Sequence, residues 1–206
     1  MTTFYYSPGS CSLASLIALE EAGLDYKPRR VDFSKGEQRS PEYLKINPKG
    51  RVPALVTERG TITETPAILA YIAQITRRVR LAPLEDSFAF AGMQAFNAYL
   101  ASTVHVNHAH GRRGSRWTDD ASAIEAMKAK VPQTMADSFV LIEDQLQVGP
   151  WVMGSEYSVA DGYLFTLAGW LPGDGVEMDR FPKVKAHFER MQARAAVQRA
   201  LAVEKA

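Results

Sequence analysis

Cys11 is the single cysteine among 206 residues, and it follows Pro8-Gly9 in the first turn of a segment with helical spacing. Unpaired backbone N–H groups and the positive end of a helix dipole favour a thiolate at such a place. A lone cysteine is more commonly a small buried core residue, so position alone leaves both readings open. Two other stretches suit a peptide-like ligand. In Gly50-Arg51-Val52-Pro53-Ala54-Leu55 a proline stands between a loop and an extended run. That context fits a cis X-Pro bond, which would offer the Val52 backbone N–H and C=O for strand-like pairing. The plain alternative is a trans proline opening an edge strand. In Glu64-Thr65-Pro66 a carboxylate stands beside a helix start. Glu64 could take an ammonium there, while the Thr65 hydroxyl and the helix's free N–H groups take a carboxylate. Read alone, this is a helix cap.

Histidines and arginines cluster at one place. His105 and His108 share a helical face, but His110 is turned away and no nearby carboxylate joins them, so no metal site is expected. Arg112, Arg113 and Arg116 read as a solvated helix end, with attraction of acidic electrophiles as the functional alternative. Tyr163, Phe165 and Trp170 read as core. Tyr5 and Tyr6 read as sheet residues, with Tyr6 near enough to Cys11 to touch a site.

These residues need elements to position them. Residues 3–7 are aromatic and β-favouring and stop at Pro8-Gly9, which predicts a buried strand. Leu13, Leu16, Ile17 and Leu19 recur at helical spacing before Gly23. A second strand is expected within 26–33 and a short helix from Pro41. Extended runs at 52–56 and 61–63 flank hairpin chemistry at Thr57-Glu58-Arg59-Gly60. Thr65 as N-cap and Pro66 at the first helical position then open another helix. The order β-α-β-α-β-β-α makes a small mixed sheet over residues 1–80. Residues 81–86 read as a linker, and 87–206 as an all-helical domain. Its helices are expected over 87–110, over 119–147 with a kink at Pro132, after the capping box Ser158-Val159-Ala160-Asp161, and over 182–194.

Composition narrows the class. With 46% hydrophobic and 23% charged residues the chain can bury a core and is not disordered. A formal net charge of +1 gives no overall field drawing in nucleic acid or membrane. One cysteine suits a reducing compartment. There is neither a secretory leader at the start nor a run of roughly 18–20 apolar residues to span a bilayer. A cytoplasmic protein is expected.

The motifs, taken in this order and spacing, resemble the glutathione transferase superfamily. Tyr5-Tyr6-Ser7-Pro8-Gly9-Ser10-Cys11-Ser12-Leu13-Ala14 is similar to its bacterial beta class, and Asn47-Pro48-Lys49-Gly50-Arg51-Val52-Pro53-Ala54-Leu55 to the family's most recognisable stretch. Glu64-Thr65 and the box at 158–161 match two further elements. The resemblance implies an α/β thioredoxin-like N-terminal domain and an all-α C-terminal domain, with glutathione as co-substrate, no metal, and a homodimer. By the same resemblance, Cys11 faces the glutathione sulfur, and Val52 bonds its cysteinyl backbone beside a cis Pro53. Glu64 and Thr65 hold its γ-glutamyl group, and Lys35 sits near its glycyl carboxylate. Ser102 and His105 line the site, where His105 could polarise Cys11 or donate a proton. Val106 departs from a lysine that is frequent after the histidine, and Ser10 is a competing activator, since other classes use a hydroxyl. The implied partner is a small hydrophobic electrophile. Thiol–disulfide or peroxide chemistry through Cys11 and a non-enzymatic carrier of hydrophobic ligands are the alternatives.

Overall fold

The computed structural model describes residues 2–76, 78–147 and 149–205. At the centre of its sheet lies β1 (Thr3–Tyr6), whose alternation buries Phe4 and Tyr6 on one face. β2 (Lys27–Arg30) pairs parallel to β1, while β3 (Ala54–Thr57) is antiparallel to β1 and β4 (Gly60–Thr63) antiparallel to β3. The order is β2-β1-β3-β4. A parallel pair needs a crossover, which α1 (Ser12–Ala22) supplies. The strand expected within 26–33 is reduced to the four exposed residues of β2. Their types explain it: Lys27, Pro28, Arg29 and Arg30 make an edge that cannot recruit another strand. Asp32 then accepts the Ser34 N–H at 2.9 Å and turns the chain into two short 3-10 turns, Phe33–Lys35 and Glu37–Arg39.

α2 (Pro41–Ile46) is capped by Ser40, whose hydroxyl accepts the Tyr43 N–H at 3.1 Å. The Tyr43 hydroxyl and the Asn47 amide both donate to the Arg51 carbonyl, at 2.7 and 2.6 Å. The loop before Val52 is thereby fixed. α3 (Thr65–Ile75) starts one residue earlier than expected, because the Ile68 N–H bonds the Glu64 carbonyl at 3.0 Å and makes Glu64 the cap.

Beyond β4 the described residues are helical apart from an isolated Trp151–Gly154 bridge. α4 (Ser87–Tyr99) passes through a π-helical turn, Leu100–Val104, into α5 (His105–Arg113). α6 (Ala121–Leu141) continues through Pro132 as one helix, and α7 (Val159–Ala168), α8 (Pro182–Gln192) and α9 (Ala195–Lys205) follow. α9 was not expected from the sequence. Among the described residues no helix is long and apolar enough to cross a membrane. Residues 81–86 are no loose tether: Leu81 and Ala82 are buried, and the Leu81 carbonyl accepts the Val159 N–H at 2.9 Å.

α1 is the inner layer shared by both halves. Nine of its eleven residues are buried, because α3, α7 and α9 all pack on it. A Cβ on Gly162 would stand 3.4 Å from the Ile17 Cγ2 and 3.6 Å from the Ala14 carbonyl oxygen, ordinary contact distances that show how closely α7 lies on α1. At the start of α7, Asp161 accepts the Ser158 N–H at 2.7 Å and the Val152 N–H at 2.7 Å, and it lies 2.9 Å from His187 Nε2. All of this is fully buried. Asp161→Ala should cost about 3–5 kcal/mol, since it strands several buried donors at once. Ser158→Ala, which leaves the Val152 and His187 contacts intact, should cost only about 1 kcal/mol. Urea unfolding midpoints check the difference.

Candidate active site

A cleft of about 670 Å³ opens between the sheet half and the α5–α7 wall, within the roughly 300–1,000 Å³ of small-molecule sites. Ser10, Cys11, Val52, Pro53, Glu64, Thr65 and His105 all line it. Lys35 and Ser102 do not. Lys35 is exposed and paired with Asp32 at 3.5 Å, and Ser102 points to solvent from the π turn. Phe33, Gln38 and Arg39 form the wall near the place assigned to Lys35.

The Val52–Pro53 peptide bond is cis. Among the described residues the Val52 N–H has no hydrogen-bond partner, while its carbonyl accepts from the Cys11 thiol at 3.6 Å. Glu64 carries the backbone at φ 72° and ψ 125°, the single non-glycine with positive φ among the described residues. Such a conformation costs on the order of 1–3 kcal/mol and is typical of ligand clamps. The Glu64 carboxylate pairs with Lys49, which also donates to the Thr63 hydroxyl at 2.7 Å.

Cys11 departs from the expectation of an easily formed thiolate. Burial pushes its thiol above the ordinary range, while the Thr65 hydroxyl and the Arg113 guanidinium pull it down less strongly. The helix start does not offset the loss of solvent. Ser10 is engaged in its own turn: its hydroxyl accepts the Ser12 N–H at 3.2 Å and sits 2.7 Å from the Ser12 hydroxyl. Tyr6 turns away from the cleft and donates to the Val203 carbonyl at 3.0 Å.

Comparison with known proteins shows the family. Residues 1–74 match the glutathione S-transferase N-terminal domain, and residues 110–203 match the glutathione S-transferase C-terminal domain. The glutathione S-transferase GstA of Escherichia coli O157:H7 is 32% identical over 97% of both chains. The chain belongs to the glutathione S-transferase family. The disulfide-bond oxidoreductase YfcG of Escherichia coli K12 is 29% identical, over 98% of this chain and 94% of that one. A glutathione transferase homologue from Sulfitobacter, solved with bound glutathione, superposes with TM-score 0.94 at 48% identity, covering 100% of this chain and 97% of that one. A bacterial beta-class glutathione S-transferase of Sphingomonas chungbukensis gives TM-score 0.85 at 31% identity over 98% of both.

The helical wall of this transferase fold sets contacts that short stretches of sequence do not show. His105 Nε2 lies 3.4 Å from the Arg113 guanidinium. Arginine can only donate, so His105 accepts on Nε2 and carries its proton on Nδ1. Burial, reinforced by Arg113, pushes the His105 imidazole down to about 3. It is therefore neutral at physiological pH and unsuited to act as an imidazolium acid. His108 instead bonds Asp174 at 2.8 Å and stacks on Trp170, and His110 packs edge-on against Trp117. Among the described residues no group of three potential ligands could hold a metal. Trp170 donates from Nε1 to the Gly9 carbonyl at 3.2 Å, and Glu204 of α9 accepts the Gly9 N–H at 3.3 Å. The loop carrying Ser10 and Cys11 is thus pinned from the helical half. Helical spacing from His105 through Ala109, Arg112 and Arg116 was a readable signal for that wall, whereas nothing local marks Trp170 or Glu204.

Cys11 should be alkylated by iodoacetamide more slowly than a free cysteine at neutral pH, with a rate–pH midpoint above that of the free thiol. Arg113→Ala should move that midpoint further up. The His105 ring should show one unchanging NMR shift between about pH 5 and 8, where an unperturbed histidine titrates.

Proposed function

We propose that this protein transfers the sulfur of glutathione to an electrophilic centre of a small second substrate. The observation that carries this is the convergence on one cleft of an unpartnered Val52 N–H, the strained Glu64, the buried Thr65 and a neutral Cys11 thiol. Glutathione would lie extended along Val52. Its ammonium would meet Glu64 in place of Lys49, and its α-carboxylate the Thr65 hydroxyl and the free N–H groups of α3. A thiol held protonated by burial is a hydrogen-bond donor, so Cys11 is suited to stabilise a glutathione thiolate rather than to attack as one itself. The thiolate's electron pair then forms the S–C bond. Either a leaving group departs with its bonding pair or, in addition, the acceptor takes up a proton. His105 contributes as a neutral acceptor holding Arg113.

YfcG keeps the second reading, disulfide exchange through Cys11, in view, and here Arg113 and Thr65 favour the thiolate but lose to burial. The family and its named transferases favour an enzyme over a passive carrier. The reading retains residues 1–80 and 87–206 as its two domains, and a homodimer, which sedimentation would test.

Steady-state kinetics with glutathione and an aromatic electrophile test the proposal. Glu64→Gln should raise the glutathione KM roughly tenfold, the value of one charge-assisted hydrogen bond. Cys11→Ala should retain conjugation within about tenfold, the loss of one weak donor. Disulfide reduction without any conjugation in the parent enzyme would favour the second reading instead.

A further inference from the structure

Five arginines line the cleft, Arg39 and Arg51 from the sheet half and Arg112, Arg113 and Arg116 from the helical half, against a single carboxylate, Glu64. Glu64 is itself paired with Lys49. Among the described residues none of the five arginines makes an ion pair, and the one side-chain partner is the neutral His105 ring beside Arg113. The formal charge of the whole chain is only +1, so the excess is local. These groups face one another: Arg113 feels Arg51 and Arg112, and Arg116 feels Arg113, Arg51 and Arg39. Like charges brought together with no counter-charge repel; water screens the four exposed guanidiniums, and the cost is highest at the half-buried Arg113.

Glutathione does not balance this set. It brings two carboxylates, one ammonium and, once ionised, the thiolate beside Cys11, and the proposed seat uses Glu64 for the ammonium and Thr65 with the start of α3 for one carboxylate. The other carboxylate falls to the sheet wall, where Arg39 and Arg51 stand. The thiolate would lie where Arg113 already acts on Cys11, so Arg112 and Arg116 on the helical wall remain without a counter-charge. A guanidinium presents a planar fork that matches a carboxylate in two bonds. Trp117 and Trp170 on the same wall offer flat apolar surface.

Resting on the reading of this cleft as a glutathione transferase site, we propose that its second substrate is an anion. It would be a small electrophile with a flat unsaturated or aromatic body and at least one carboxylate, held by Arg112 and Arg116 beside Arg113. This differs from a purely hydrophobic electrophile, since an apolar molecule would bring Arg112 and Arg116 no counter-charge.

The test compares chlorodinitrobenzene with chlorodinitrobenzoate, which differ by a carboxylate, each rate divided by its uncatalysed rate with glutathione. The enzyme should favour the benzoate by roughly tenfold or more in kcat/KM, and added salt should erode the preference. Arg112→Gln and Arg116→Gln should each reduce the benzoate-to-benzene ratio by about fivefold to tenfold. An equal preference in the parent enzyme would overturn the proposal. So would variants that raise the glutathione KM and leave the ratio alone, because the arginines would then serve the glutathione carboxylate. If neither compound is conjugated, the transferase reading fails separately. Titration with unreactive dinitrobenzoate and dinitrobenzene in the presence of S-methylglutathione then decides the anion site: tighter benzoate binding, weakened by Arg116→Gln, supports it, and equal binding overturns it.

Discussion

Helix α1 is packed by α3 from the sheet half and by α7 and α9 from the helical half, so the residue that caps it, Cys11, cannot shift without displacing both halves of the molecule. The C-terminal end is equally constrained. Gly23 takes φ 61° and closes the helix, its N–H bonding the Glu20 carbonyl and that of Leu24 the Leu19 carbonyl. Arg194 grips Glu21 through two bonds, and Arg199 reaches Glu20 at 2.7 Å. Apolar burial on every face leaves no amphipathic stripe, yet it is what brings the sheet and the helical wall close enough to enclose a cleft. The site is a consequence of that shared layer rather than of either half alone.

The same burial sets the chemistry. A cysteine at a helix start and beside an arginine would ordinarily ionise easily. Here the thiol is nearly sealed from water, and desolvation outweighs Thr65 and Arg113 together. His105 obeys the same rule with the opposite sign of charge: loss of water, then Arg113, removes its proton. Two groups that the sequence suggests as an acid–base pair are both neutral in the folded chain. Charge in the cleft resides instead on guanidiniums, which burial does not neutralise.

This contrast also explains what could be read from the sequence. The two-part fold, the strand–turn–helix around Cys11 and the capping box at Ser158 and Asp161 are local patterns, and each is where periodicity or turn chemistry put it. The cis bond at Pro53 and the clustering of Val52, Glu64 and Thr65 with Cys11 follow from short stretches whose order resembles a known family. Protonation states do not follow from short stretches, because they depend on what covers a group from distant segments. Trp170 and Glu204 meet at Gly9 from 161 and 195 positions away. β2 was overextended because alternation was visible at 26–33, while the edge character of Pro28, Arg29 and Arg30 decides where pairing stops. α9 carries no strong periodic signal because its buried face, Ala196, Val197 and Ala200, consists of small residues, and the helix packs mainly against α1.

Five guanidiniums converging without a counter-ion add nothing to folding. They repel one another, and Arg113 and Arg116 also lose part of their hydration. Proteins tolerate such costs at sites where binding relieves them. An occupant that brings negative charge binds only the folded arrangement, since an unfolded chain separates Arg39 and Arg51 from Arg112, Arg113 and Arg116. At about 100 times its dissociation constant such a ligand stabilises the fold by about 2.7 kcal/mol. Repulsion in the empty cleft and relief in the filled one are therefore two sides of one electrostatic quantity. An anionic occupant gains from that relief on top of its own contacts, and a neutral one does not. The preference for charge thus follows from the wall itself, and the flat surfaces of Trp117 and Trp170 are left to select the shape of the molecule that carries it.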